Sequence, residues 1–215
     1  MEELMAKIEA NDTRMKYLEK RDLEFTNLKS AVSQIQSDIN KQAQNILLNE
    51  IELIGIPESP AENLQHTFQL ATKKLGVELD EKDVDWITRV GPRRSAVPPS
   101  LTELQNRMPR PIVVRLLRRS KRDEILKASK SRRNIKSNDL DAPGTPQNIY
   151  FNERLTKENR ILFRDARNRA KKEGYAYCWC NRGAIYVRRR EGNAAVQLRS
   201  QSDLDRLFAN TKTTV

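Results

Sequence analysis

Residues 1–49 follow a heptad pattern, in which apolar residues alternate at spacings of three and four along the chain. Asn11, Asp22 and Gln42 fill the remaining seam positions, and no Pro or Gly interrupts residues 1–53. The pattern predicts one long helix that self-associates as a parallel coiled coil, with a trimer favoured over a dimer. An amphipathic helix packed on its own domain is the alternative. The predicted seam consists of Leu4, Ile8, Met15, Leu18, Phe25, Leu28, Val32, Ile35, Ile39 and Ile46.

Strand and helix signals alternate over residues 50–152. Short apolar strands are predicted at 51–56, 84–90, 111–117 and 148–152, with helical spacing over 60–75 and 120–130. The order β-α-β-β-α-β is the split βαβ arrangement, which places two helices on one side of a four-stranded sheet. This is the topology of RNA-recognition modules. The sequence therefore predicts an α+β fold with a non-standard, RRM-like basic domain.

A second, smaller domain is predicted over residues 153–210, followed by a tail at 211–215. A basic helix at 155–172 precedes two strands, 175–180 and 184–190, and a last helix follows at 202–208. Asn181-Arg182-Gly183 between the strands is a hairpin signal, because Gly tolerates the backbone angles of a tight turn. We expect an α-β-β-α domain.

Charge is distributed unevenly between these parts. Of 40 basic and 29 acidic residues, residues 1–50 contain 7 and 9, so the rest of the chain carries a net charge of +13. Residues 89–140 contain 15 basic and 4 acidic residues. Such a concentration is typical of a surface that binds a polyanion.

Several classes of protein are disfavoured. No apolar run is long enough for a membrane span and no signal sequence is evident, so we expect an intracellular protein in a cytoplasmic ribonucleoprotein or the nucleus. Cys178 and Cys180 lie two positions apart on one predicted strand, which is a poor arrangement for a disulfide, and His66 is far from both, so neither a disulfide nor a metal site is expected. No phosphate-binding loop or nucleophile motif indicates an enzyme, and no cofactor is expected.

Four segments resemble known families. They are IELIGIPE at 51–58, ITRVGPRR at 87–94, RPIVVRLLRRSKRDEILKASKSRR at 110–133 and CNRGAIYVRRR at 180–190. In this order they resemble the RNA-binding protein encoded by the first reading frame of LINE-type retrotransposons. The C-terminal hairpin more closely resembles the baculovirus few-polyhedra (FP) protein family.

The LINE-type resemblance implies a coiled-coil trimer that binds single-stranded nucleic acid and acts as a strand-annealing chaperone. The FP resemblance implies a viral structural or regulatory component. This chain departs from the LINE-type pattern in an insert at 95–108 and in its CWCNRG hairpin. Matched position by position, the LINE-type pattern implies nucleic-acid contacts from Arg89, Arg93, Arg94, Arg115, Arg133 and Arg160.

The residues also indicate this chemistry without the family. The strands IELIGI and PIVVRLL lack the aromatics that stack bases in standard RNA-recognition sheets. Basic residues on the sheet and its rim would bind phosphates instead. These are Arg89, Arg110, Arg115, Arg118, Arg119 and Lys121, with Arg182, Arg188, Arg189 and Arg190 of the hairpin as a second candidate group.

Aromatic residues are concentrated in the last domain. Tyr175, Tyr177 and Trp179 alternate along one strand, a pattern that is more often core than a base-stacking surface. Both interpretations stay open.

Three functional hypotheses follow. The leading one is a homo-oligomeric, sequence-tolerant protein that binds single-stranded RNA, or DNA, in a ribonucleoprotein. The second is a viral structural or assembly protein whose basic domain binds an acidic protein or a nucleocapsid. A scaffold coiled coil with an incidental basic domain is disfavoured, because the charge is concentrated rather than spread.

Overall fold

The computed structural model describes residues 1–60, 62–92, 109–140 and 145–209. The chain divides into two compact units, of which the first is Met1–Ala43 and the second begins at Gln44. None of the helices in the described ranges combines the length and the apolar content needed to cross a bilayer.

Helix α1 (Glu2–Ile46) is the long helix that the heptad pattern predicts. Ion pairs one turn apart support it, between Glu3 and Lys7 at 2.9 Å and between Asp12 and Lys16 at 2.7 Å. The apolar stripe is exposed along the helix, and Phe25 keeps 67% of its surface in solvent. The parallel coiled coil that would bury this stripe stays a prediction.

A four-stranded antiparallel sheet begins the second unit. Its strands are β1 (Glu50–Ile54), β2 (Val84–Arg89), β3 (Ile112–Leu116) and β4 (Tyr150–Glu153), in the order β2-β3-β1-β4. Every neighbouring pair is antiparallel. Helix α2 (Leu64–Leu75) links β1 to β2, and helix α3 (Arg119–Ser131) links β3 to β4.

Both helices pack on the same side of this sheet. Alternate strand residues such as Ile51 and Val114 share one buried core with Phe68 of α2 and Ile125 of α3. The side chains that alternate with them face the opposite, outer side. The chemistry of that outer side therefore depends on the residues between the apolar ones.

The C-terminal part consists of α4 (Lys157–Lys172), β5 (Tyr177–Asn181), β6 (Ala184–Arg188), β7 (Val196–Leu198) and α5 (Gln201–Ala209). The three strands form an antiparallel sheet in the order β5-β6-β7. Its inner side packs Ile185 and Val187 against the two helices in a second core.

The predicted α-β-β-α order of this domain is therefore wrong by one strand, because the structure has three strands between the two helices. β7 has three residues, of which only Leu198 is buried, and so short a run gives no alternation that a sequence pattern can detect. The predicted hairpin turn is present at Arg182 and Gly183, whose φ angles of 51° and 77° are those of a type I′ turn.

Hydrogen bonds from Gln44 fix the start of α4. The buried Gln44 side chain accepts from the Thr156 amide and from Asn159 Nδ2, each at 3.0 Å, and donates to the Arg154 carbonyl at 2.9 Å. Asn159 Nδ2 also donates to the Gly183 carbonyl at 3.2 Å. The helix start and the hairpin turn are therefore held together.

Candidate nucleic-acid interface

Arg89, a predicted contact residue, is buried on the four-stranded sheet with only 3% of its side chain exposed. Its Nε and Nη2 donate to the two carboxylate oxygens of Glu62, each at 2.7 Å. Further bonds reach the carbonyls of Ile56 at 3.1 Å, Arg110 at 2.6 Å and Pro57 at 2.8 Å. These five bonds match the five donors of a guanidinium. Arg89 is therefore a structural residue and has no donor left for a phosphate.

The outer side of the four-stranded sheet carries carboxylates at its centre. Glu50 and Glu52 of β1 are both buried, and Glu50 pairs directly with Arg115 of β3. Burial raises the pKa of Glu50, and the charges of Arg154 and Arg115 only partly offset this effect. We call Glu50, Glu52 and Arg115 the carboxylate face.

Arginines around the carboxylate face are paired with acidic side chains. Arg115 Nε lies 3.4 Å from Asp85 Oδ2, and Arg154 Nη1 lies 2.6 Å from Glu52 Oε1. Arg160, another predicted contact residue, is more exposed, and its Nη2 is 3.7 Å from the same Glu52 oxygen. A phosphate that bound these arginines would have to compete with the carboxylates.

Two predicted residues on the rim of this sheet are also paired. Arg110 contacts the Glu58 carboxylate at 2.9 Å through its Nε and Nη2. Arg118 donates to Asp83 through Nε at 2.9 Å and also through Nη2. The hydrogen bond from Arg118 lowers the pKa of the buried Asp83.

The remaining predicted residues of this region differ in their contacts. Lys121 donates to the Glu78 carbonyl and pairs with Glu124, both at 3.0 Å. Arg119 and Arg133 are exposed and contact only neutral groups, the Asn49 side chain at 3.3 Å and the Lys130 carbonyl at 3.0 Å. The predicted Arg93 and Arg94 lie outside the described residues.

The outer side of the three-stranded sheet is different. In the register of the hairpin, Tyr177 pairs with Arg188 and Trp179 pairs with Tyr186. All four side chains lie opposite the buried Ile185 and Val187, and we call them the aromatic face. The Trp179 and Tyr186 rings are stacked, with centroids 5.6 Å apart and an interplanar angle of 18°.

Aromatic rings rather than carboxylates hold Arg188. Its guanidinium carbon lies 4.4 Å from the Tyr177 ring centroid and 5.9 Å from the Trp179 centroid. The Arg188 Nε is buried and has no hydrogen-bond partner. A pocket of about 320 Å³ opens beside it, lined by Ala176, Tyr177, Cys178, Trp179 and Arg188.

Exposed basic residues lie at the Tyr177 end of the aromatic face. Arg189 and Arg190 follow β6, and the Arg189 carbonyl accepts from the Ala176 amide at 2.9 Å. Lys171 and Lys172 end α4, close to the start of β5. We call these four exposed residues the cationic rim.

The hairpin turn at the other end is tied to β4. The Glu153 carboxylate accepts from the backbone amides of Arg182 at 3.1 Å and Gly183 at 2.8 Å. It also pairs with the buried Arg122 at 3.2 Å. The predicted contact residue Arg182 is exposed, but its guanidinium donates to Asp123 at 3.3 Å.

The two cysteines are free thiols, and each is partly buried. Burial, followed by the nearby Glu153 carboxylate, raises the pKa of Cys180 to about 12, and burial also raises the pKa of Cys178. Both thiols are therefore protonated at neutral pH. In the part of the chain that the structure describes, His, Cys, Asp and Glu form no cluster that could hold a metal ion.

The sequence left the role of these aromatics open, because it predicted Tyr175 in the same strand as Tyr177 and Trp179. β5 begins only at Tyr177, and Tyr175 turns inward to contact Phe208, with ring centroids 5.0 Å apart. The sequence of β6 indicates more clearly than that of β5 which aromatic residues face outward. Ile185 and Val187 are its apolar positions, so Tyr186 and its hairpin partner Trp179 must face outward.

Comparison with known proteins finds one similarity. The family model described as baculovirus FP protein domain 2 matches residues 156–208, about a quarter of the chain. The matched segment includes the three-stranded sheet and both helices of the C-terminal part. No curated protein matches the chain. The match supports the FP part of the resemblance, while the LINE-type part stays a prediction.

Proposed function

We propose that this chain is a homo-oligomeric protein that binds single-stranded RNA, or DNA, with little sequence discrimination. The aromatic face carries this proposal, because it exposes aromatic rings beside an arginine and next to the cationic rim. Proteins that bind single strands combine stacking platforms with basic grooves in this way. Each stacked base contributes about 1–3 kcal/mol, whichever base it is.

The four-stranded unit has a different role in this proposal. Its strand order β2-β3-β1-β4 and its two helices on one side support the proposal of an RRM-like module. Standard modules stack bases on aromatics of the central strands, but here the central strands β1 and β3 present Glu50, Glu52 and Arg115. We propose that this sheet is a support for the C-terminal part and that it contacts nucleic acid only through exposed rim residues such as Arg119 and Arg133.

Self-association through α1 would multiply the aromatic faces. The exposed apolar stripe supports a coiled coil, and a trimer would present three faces to one strand. Linked sites bind with a raised effective concentration, so the oligomer would bind more tightly than one module. Such a protein would coat a strand and assist annealing within an intracellular ribonucleoprotein.

Binding of the full chain to labelled single-stranded RNA, single-stranded DNA and duplex RNA tests this proposal. We expect both single strands to bind more tightly than the duplex, whose bases are already stacked on one another. The variant Ile35→Lys with Ile39→Lys should reduce both the oligomer mass and the apparent affinity. Equal binding to the duplex would contradict the stacking mechanism.

A second candidate function is supported by the match to baculovirus FP protein domain 2. In that case the chain is a viral structural or regulatory assembly protein, and its basic C-terminal part binds an acidic protein. Absence of binding to all three nucleic-acid probes at low salt would favour this candidate over the first.

A further inference from the structure

Tyr177 and Trp179 both line one pocket, whose size can be compared with that of a single planar ring system. Residues two apart on a strand are separated by roughly 6.6 Å, about twice the 3.4 Å spacing of stacked bases. The pocket volume of about 320 Å³ is at the lower end of the range for small-ligand sites. A planar base is therefore compatible with the size of this pocket.

Arg188 supplies unsatisfied hydrogen-bond donors to this pocket. Its Nε is buried without a partner, and buried polar groups in proteins nearly always have one. Arg89 shows the opposite arrangement, because protein oxygens accept all five of its bonds. The rings hold the Arg188 guanidinium in place without using its N–H groups, so those groups are left for an acceptor outside the protein.

The bases differ in the acceptors that they offer to a guanidinium. Guanine presents two adjacent acceptors, O6 and N7, which match two parallel N–H groups. Adenine replaces O6 with a donor amino group, and cytosine presents an amino donor on the corresponding edge. These edges are accessible in single strands.

We propose that the pocket lined by Tyr177, Trp179 and Arg188 selects a guanine base, with Arg188 donating to O6 and N7. This inference rests on the proposed single-strand binding and adds one base-selective position to an otherwise sequence-tolerant contact. A strand would then place a guanine in each pocket and run its phosphates along the cationic rim.

Four short oligocytidylate RNAs test the selection with the full chain. They carry one central guanine, inosine, 7-deazaguanine or adenine. Inosine keeps O6 and N7, 7-deazaguanine lacks N7, and adenine lacks O6. We expect guanine and inosine to bind equally, and 7-deazaguanine and adenine to bind about tenfold more weakly.

Two conservative variants separate base selection from charge. Arg188→Lys keeps the positive charge but lacks the paired donors, so the four RNAs should bind with one common affinity. Arg206→Lys, at an exposed position of α5 that has no role in the proposed contact, should keep the tenfold preference. Retention of the preference by Arg188→Lys would contradict the role of Arg188.

The outcomes distinguish this inference from the proposed function. If the unchanged protein binds all four RNAs equally tightly, the guanine selection is wrong while single-strand binding stands. If the unchanged protein binds none of them, the proposed function itself is wrong.

Discussion

The outer sides of the two sheets of the second unit differ in the groups that contact their arginine side chains. On the carboxylate face, Arg115 lies among buried glutamates and pairs with Asp85. On the aromatic face, Arg188 lies over the rings of Tyr177 and Trp179 and has an unpartnered donor. Both sheets belong to a basic chain, yet on their described outer sides Arg115 is paired with an acid whereas Arg188 is not.

The comparison shows that the density of basic residues does not reveal which of their charges are paired with acids. Residues 89–140 contain the highest concentration of basic side chains that the sequence analysis identified. In the structure, Arg89, Arg110 and Arg118 are each paired with a glutamate or aspartate. The partners of a charge decide whether a phosphate can bind it, and those partners come from distant parts of the chain.

The largest expected effect concerns Arg89, which should matter for stability alone. Arg89→Ala removes a buried charge and leaves the Glu62 carboxylate and three carbonyls without their donor. Breaking a buried ion pair costs about 3–5 kcal/mol, so the free energy of unfolding should fall by about that amount. Denaturant unfolding measures it.

Arg133→Ala is the control for this prediction, because Arg133 is exposed and bonds only a carbonyl. Its free energy of unfolding should stay within about 0.5 kcal/mol of the unchanged protein. An Arg89→Ala protein of normal stability with much weaker RNA binding would mean that Arg89 is a contact residue after all.

Trp179→Ala should have the next largest effect, on binding rather than on stability. Losing one stacking ring costs about 1–3 kcal/mol, which corresponds to about 5- to 150-fold weaker binding of single-stranded RNA. Trp86→Ala is the matched control, since Trp86 pairs with Arg115 on the outer side of the other sheet. Fluorescence anisotropy measures the affinities of both variants. An equal loss of affinity in the two variants would contradict the proposal that only the three-stranded sheet stacks bases.

The salt dependence of binding should separate the two groups of arginines. Arg189→Ala with Arg190→Ala removes two charges of the cationic rim and should flatten the slope of log affinity against log salt by about 1.4. Arg115→Ala with Arg119→Ala, the change that the sequence analysis would select, should flatten it less because Arg115 is already paired with Asp85. If the Arg115 and Arg119 changes flattened the slope more than the Arg189 and Arg190 changes, the binding surface would instead be the four-stranded sheet.

The sequence predicted the elements of the fold better than the roles of its arginines. Heptad spacing and Gly-Pro punctuation are local signals, so α1, the hairpin turn and most strands were predicted from them. Glu62 and Arg89 are 27 residues apart, and no local pattern indicates that they form a pair. The outward position of Glu50 and Glu52 could be predicted, because they alternate with the apolar Ile51 and Leu53 along β1.

The smallest expected effect is on acid stability at the rim of the four-stranded sheet. Because the hydrogen bond from Arg118 lowers the pKa of Asp83 below its usual 3.8, ionised Asp83 stabilises the folded state above that pH. This contribution is lost as the pH falls through the lowered pKa. The difference in unfolding free energy between the unchanged protein and Asp83→Asn should be full at neutral pH and shrink below 3.8, and a constant difference would contradict this assignment.

Tryptophan fluorescence tests the central claim most directly, because the chain has two tryptophans and each lies on the outer side of one sheet. Trp86→Phe leaves Trp179 as the only indole, and Trp179→Phe leaves Trp86. On titration with single-stranded RNA, base stacking should quench the fluorescence of Trp179 in the first variant and leave that of Trp86 unchanged in the second. Quenching of Trp86 with unchanged Trp179 would show that nucleic acid binds the four-stranded sheet and would contradict the account.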